Sequence, residues 1–111
     1  MSDPLETVRK SYRAYETRDR DLIESVIAED GFVFSAPPDV GIDRETYFER
    51  CWPNATLDTV EFVRLCEIGQ DEVLATYEAT RQDGTKFRNT EIFGIDGDQI
   101  KSVEVYFGWD L

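Results

Sequence analysis

Glu91 and Asn89 stand in the run KFRNTEIFGI, Lys86–Ile95, where alternation puts them on the same side as Phe87, Phe93 and Ile95. A carboxyl group on an apolar face is kept from water, and that raises its pKa toward the range where it can take or give a proton near neutrality. The same pattern also suits a buried glutamate satisfied by Asn89, a tyrosine or an arginine, and the residues alone leave both readings open. Asn89 and a tyrosine could orient a substrate oxygen. Phe87, Phe93 and Phe107 could keep water out.

What is missing narrows the chemistry further. The chain has no histidine, which removes Ser-His-Asp and Cys-His catalysis and most zinc sites. Its two cysteines, Cys51 and Cys66, lack close ligand spacing and read as free thiols, so no metal and no cofactor are expected. Acid-base work would fall to Asp, Glu, Tyr, Lys or Cys. With 24 acidic against 12 basic residues the net charge is −12, a surface that repels phosphate backbones and anionic lipid. Nucleic acid and membrane are therefore poor partners, and no apolar run is long enough to span a bilayer. The start, MSDPLETVRK, lacks the apolar core of a signal peptide, which points to the cytoplasm. Asn54-Ala55-Thr56 fits a glycosylation sequon that a cytoplasmic chain would not present for modification.

The elements that must position these residues can be read in order. At 111 residues the chain is one domain, 1–111. Asp3, Pro4 and Glu6 start a helix whose Leu5, Val8, Tyr12 and Tyr15 make one apolar stripe. A second helix follows Asp19 or Asp21, with Leu22, Ile23, Val26 and Ile27 inward. GFVFSAPP, Gly31–Pro38, is a short strand ended by its prolines. Asp43 caps a third helix with Tyr47, Phe48, Cys51 and Trp52 on one face, closed by Pro53. From Leu57 the period becomes two, and strands are expected over 57–68, 72–81, 86–95 and 99–109 with short hairpin links. The fold class is α+β: a cone-shaped, curved antiparallel β-meander wrapped around about three N-terminal helices, with room for a pocket between the layers.

A two-residue turn at Asp83-Gly84 would set Glu78 opposite Asn89 and Thr76 opposite Glu91. One face then reads Leu74, Thr76, Glu78, Thr80 with Phe87, Asn89, Glu91, Phe93, which makes Glu78 a second pocket carboxylate. The other face reads Val73, Ala75, Tyr77, Ala79 with Arg88, Thr90, Ile92, and is too apolar to be bare. A homodimer through Tyr77 and Ile92 would cover it. On the last strand Val103, Val105, Phe107 and Trp109 are expected inward. Tyr12, Tyr15, Trp52 and Val105 complete the expected pocket, although each also suits plain core packing.

The stretches SYRAYETRDRDLIESVIAEDGFVF and FRNTEIFGIDGDQIKSVEVYFG resemble the nuclear transport factor 2-like (cystatin-like) superfamily, and within it the SnoaL-like polyketide cyclase and ketosteroid isomerase-like group. The resemblance implies a cone with a deep pocket for a small apolar-to-amphipathic ligand, usually in a homodimer packed through the sheet. It also implies cofactor-independent proton transfer in isomerases, cyclases or dehydratases. Isomerases of this kind pair a carboxylate base with a tyrosine and a protonated acid. The later-strand acid falls on Glu91, the tyrosine near Ser11 with Tyr12 and Tyr15 beside it, and the base on Ser35, which cannot serve as one. A non-catalytic binding or dimerisation module is the alternative.

Overall fold

Each helix begins on an aspartate whose side chain accepts a backbone N–H that the first turn leaves unpaired. Asp3 accepts from Leu5 N at 3.0 Å and opens α1 (Pro4–Thr17). Asp19 accepts from Leu22 N at 3.0 Å ahead of α2 (Arg20–Val26). Asp43 accepts from Thr46 N at 2.9 Å ahead of α3 (Arg44–Arg50), which runs on into a 3₁₀ turn, Trp52–Asn54. Glu6 does not complete a capping box in this arrangement; its carboxylate lies beside Arg9 and Arg13. The computed structural model describes residues 3–54 and 57–111, so Ala55 and Thr56 of the sequon lie outside the described residues.

Six strands follow: β1 (Val33–Ala36), β2 (Asp39–Ile42), β3 (Leu57–Gly69), β4 (Glu72–Arg81), β5 (Lys86–Asp96) and β6 (Gln99–Asp110). They form one open sheet in the order β2-β1-β6-β5-β4-β3. The four long strands are the antiparallel meander that the alternation predicts. β1 adds parallel to β6, with Phe34 opposite Val103, and makes the sheet mixed. β2, which the two prolines concealed, folds back on β1. Val8 of α1, Ile23 of α2 and Ile27 pack with Val73 and Ile100 of the sheet, each at most 2% exposed. The helices therefore cover one face, and the fold is the expected α+β cone.

The β4–β5 hairpin corrects the expected register by one residue. Arg81 N donates to Thr85 O at 2.8 Å, and Gly84 N donates to Arg81 O at 2.9 Å. Gln82, Asp83 and Gly84 thus make a three-residue loop, with Gly84 in the left-handed region at φ 90°. This is a tight turn followed by a glycine bulge, a form that twists with the strands. The extra residue shifts every pair: Tyr77 meets Asn89, Ala75 meets Glu91, and Glu78 meets Arg88. A slip of one inverts a strand's faces. Val73, Ala75, Tyr77 and Ala79 consequently join Phe87, Asn89, Glu91 and Phe93 on the helix side, while Leu74, Thr76, Glu78 and Thr80 face outward.

Two expectations fall with that register. Tyr77 is 4% exposed and belongs to the interior, so it cannot form an outer dimer face with Ile92, which does point outward. Glu78 is not a second pocket carboxylate; Arg88 Nε donates to its Oε2 at 3.0 Å on the outer face. The last strand holds one further correction. Val103, Val105 and Phe107 pair with Phe93, Glu91 and Asn89 and point inward as expected, but a bulge between Arg88 and Asn89 turns Trp109 outward. There the Arg88 guanidinium lies 5.3 Å from its ring centre.

Candidate functional site

The site is built from the inward side chains of β4, β5 and β6 and the helix faces above them. They enclose a cavity of about 290 Å³ lined by Tyr12, Tyr15, Tyr47, Tyr77, Asn89, Glu91 and a mainly apolar wall that includes Phe34, Phe87, Phe93, Val103, Val105 and Phe107. α1 supplies Tyr12 and Tyr15 because they fall four and seven residues after Val8 on one stripe. Trp52, expected as a pocket wall, packs behind the lining instead. Its ring centre lies 4.9 Å from that of Tyr15, and the Arg18 guanidinium lies over the ring at 4.4 Å from its centre.

Glu91 sits at the centre of this arrangement. The Tyr77 hydroxyl donates to Glu91 Oε2 at 2.6 Å. Asn89 Nδ2 reaches the same hydroxyl at 3.5 Å, and Asn89 Oδ1 is held by the Gly108 N–H at 3.0 Å. A chain of polar groups therefore runs from the β6 backbone to the carboxyl. Gly108 is required at its start, since a Cβ there would lie 2.0 Å from Arg88 O.

Burial pushes the Glu91 carboxyl up to about 7, with the Tyr77 and Tyr12 hydroxyls pulling in the opposite direction. Desolvation wins because no cation among the described residues pairs with Glu91. At that value both protonation states are populated near neutrality. The Tyr12 hydroxyl is buried and makes no hydrogen bond of normal geometry among the described residues, yet it lies close enough to Glu91 to favour the carboxylate. Burial and then the charge of Glu91 raise its own pKa, so it stays a neutral donor. Tyr15 and Tyr47 satisfy one another through their hydroxyls.

Of the residues that the sequence nominates, the structure brings Glu91, Asn89, Tyr12, Tyr15, Phe87, Phe93, Val105 and Phe107 to one cavity. Glu78 and Trp52 are not among its lining. Tyr77 and Tyr47 are additions. Tyr77 was legible only through the loop length at Gly84; Tyr47 already stood on the apolar face of α3. Ser35, the residue at the expected base position, lies beside Glu104 rather than in the cavity, and its Oγ accepts from Gly41 N at 2.9 Å. Among the described residues there is no cluster of His, Cys, Asp or Glu that could hold a metal ion, and no helix is long and apolar enough to cross a membrane.

Fold and site together define a class: an open α+β cone with one enclosed carboxyl group among tyrosines. No protein-family model matches the chain, and no curated protein matches it in sequence. Solved structures do share its architecture. A provisionally named ketosteroid isomerase from Kribbella flavida superposes with a TM-score of 0.78 at 15% identity, over 95% of this chain and 77% of that one. A provisionally named polyketide cyclase from Sinorhizobium meliloti gives 0.72 at 19% identity, over 90% and 93%. A computationally designed 17-OHP binder gives 0.75 at 18% identity, over 96% and 95%. The chain shares the α+β cone fold of these structures, a nuclear transport factor 2-like fold.

Proposed function

We propose that this chain binds a small apolar-to-amphipathic carbonyl compound and moves a proton on it without a cofactor, as an isomerase, cyclase or dehydratase. The carrying observation is the pair formed by an enclosed carboxyl poised near 7 and, close enough to pull on it, the buried Tyr12 hydroxyl, which makes no hydrogen bond of normal geometry among the described residues. A ligand oxygen within reach would give that donor a well-formed hydrogen bond.

The chemistry follows from those two groups. Ionised Glu91 takes a proton from a carbon beside the ligand carbonyl; the C–H electron pair forms a C=C bond to the carbonyl carbon, and the C=O π pair moves onto the oxygen. Tyr12 donates its hydrogen bond to that oxygen as negative charge develops there. Where the ligand carries a C=C bond next to the deprotonated carbon, the intermediate is a dienolate. The protonated Glu91 then returns the proton to the far carbon of that dienolate, which shifts the double bond and isomerises the ligand. In ring closure the enolate carbon attacks a second carbonyl of the same molecule, and Glu91 protonates the new alkoxide. Tyr77 holds the carboxyl in place, and the phenylalanines exclude water.

A second reading has its own support. Among the described residues Glu91 is the one carboxyl group lining the cavity, and Ser35 offers no second base. A binding module needs neither. Exchange of the α-protons of 2-tetralone in D₂O, followed by proton NMR, separates the two. General-base catalysis contributes on the order of 100-fold or more, so wild type should accelerate exchange by at least that factor over Glu91→Gln. Equal rates with both proteins, together with retained binding, would leave the binding module.

The outer face supports a homodimer in which Ile92 and Tyr106 are covered, since Tyr106 is 52% exposed on the sheet face opposite the helices. A charge at Ile92 should shift elution to the monomer volume. The two unpaired thiols, Cys51 and Cys66, fit a reducing compartment such as the cytoplasm.

A further inference from the structure

Among the described residues lining the cavity, a single side chain carries a positive charge: Arg81, the last residue of β4. It lies at the open end. Its guanidinium stacks on the Phe87 ring at 4.4 Å from the centre, and Phe107, also at this end, is 61% exposed. Phe87 and Glu91 are both inward residues of β5, four positions apart, which at about 3.3 Å per residue separates them by about 13 Å. The cavity thus has a carboxyl and a tyrosine donor deep inside, a slot of aromatic and aliphatic side chains, and a guanidinium at its rim.

We infer that Arg81 is a specificity-determining residue and that the ligand is an elongated, flat acid, its carbonyl or hydroxyl end at Glu91 and its carboxylate at Arg81. This inference rests on the pocket reading above and adds the class of ligand. Arg81 is held by weak partners that an incoming carboxylate can replace. Asp110 Oδ1 lies 3.4 Å from its Nη2, on a side chain that is 80% exposed, and Thr85 Oγ1 accepts from Nη1 at 3.1 Å. An exposed pair of that length contributes little. A ligand carboxylate in the rim would be partly desolvated and could meet the planar guanidinium with two oxygens. Asp110 then acts as a competing counter-ion. It disfavours neutral molecules not at all and opposes acids mildly. The net charge of −12 also opposes any acid at long range, but that repulsion is screened beyond about 8 Å at physiological salt, while contact with Arg81 is not.

The test measures binding of 6-hydroxy-2-naphthoic acid, its methyl ester and 2-naphthol by fluorescence titration in 0.15 M salt. Wild type should hold the acid about tenfold more tightly than the ester. Arg81→Gln should erase that preference and leave the ester and 2-naphthol where they were, and Arg81→Lys should restore part of it. Asp110→Asn should tighten the acid alone, by about twofold to threefold. An acid that binds no better than its ester overturns the inference, as does an Arg81→Gln variant that weakens all three probes alike. If Arg81→Gln does not fold, Asp110→Asn decides: an unchanged acid affinity overturns the inference. Failure of all three probes to bind overturns the pocket reading as well, whereas equal binding of all three removes only the role of Arg81.

Discussion

The β4–β5 ribbon carries Glu91 on one face and Glu78 on the other, and the two have opposite fates. Glu91 points under the helices, where a tyrosine hydroxyl is its hydrogen-bond donor and burial drives its pKa up to about 7. Glu78 points away from the helices and meets the Arg88 guanidinium across the ladder. Both are half-buried by surface area, yet only the first faces an enclosed cavity. The difference shows that a strand's period assigns carboxylates to faces, and that the neighbour on the facing strand then decides their chemistry. Tyrosine leaves the acid able to exchange protons. Arginine gives it a charged partner on the outer face.

That contrast can be broken from either side. The largest effect should come from Glu91 itself. Its pKa is higher folded than the ordinary 4.5, so its contribution to stability is complete below about 4.5 and is lost as pH rises through about 7. The loss approaches about 3 kcal/mol above pH 7. Urea unfolding from pH 5 to pH 8 should show wild type weakening more steeply than Glu91→Gln, and the variant should be the more stable at pH 8. Parallel curves for the two proteins would mean that the carboxyl is wet.

Next in size is Gly108→Ala. Its Cβ would collide with the Arg88 carbonyl, so the backbone must shift and the N–H at 108 that holds Asn89 is displaced. A cost of about 2 kcal/mol is expected in thermal unfolding, with the Asn89 side-chain amide resonances displaced in NMR spectra. Tyr77→Phe should be milder in stability, about 1 kcal/mol, and should move the Glu91 carboxyl titration further up, because the lost hydrogen bond favoured the anion. A downward shift would contradict the relay. The smallest effect belongs to the outer glutamate. Glu78→Gln should change stability by less than about 1 kcal/mol and leave the Glu91 titration unmoved. If it alters that titration, the two faces are coupled and the contrast fails.

Much of this fold was legible before any coordinates. Asp3, Asp19 and Asp43 announce the three helices because a short carboxylate side chain satisfies the first-turn N–H groups locally. The four long strands fall within about a residue of their expected ends, since alternation and short turns are local signals too. Their inward side on β5, and on β6 up to Phe107, also follows from which set is apolar. For the candidate site, this was enough to nominate Glu91 and Asn89 together with Tyr12, Tyr15 and four wall residues.

What the sequence by itself determined, then, is the set of elements and the carboxyl group lodged in an apolar strand face. Only the tertiary structure decided its company. One residue in the Gly84 loop chose between Glu78 and Tyr77 as the neighbour of the pocket, and both β4 faces were apolar enough for either choice. A bulge at Gly108 sent Trp109 outward, and the pairing of β1 with β6 turned Ser35 away from the cavity. Register and bulges are properties of two strands at once, fixed by packing across the sheet. The pKa of Glu91 depends on the same packing, because desolvation is a sum over everything that surrounds the group.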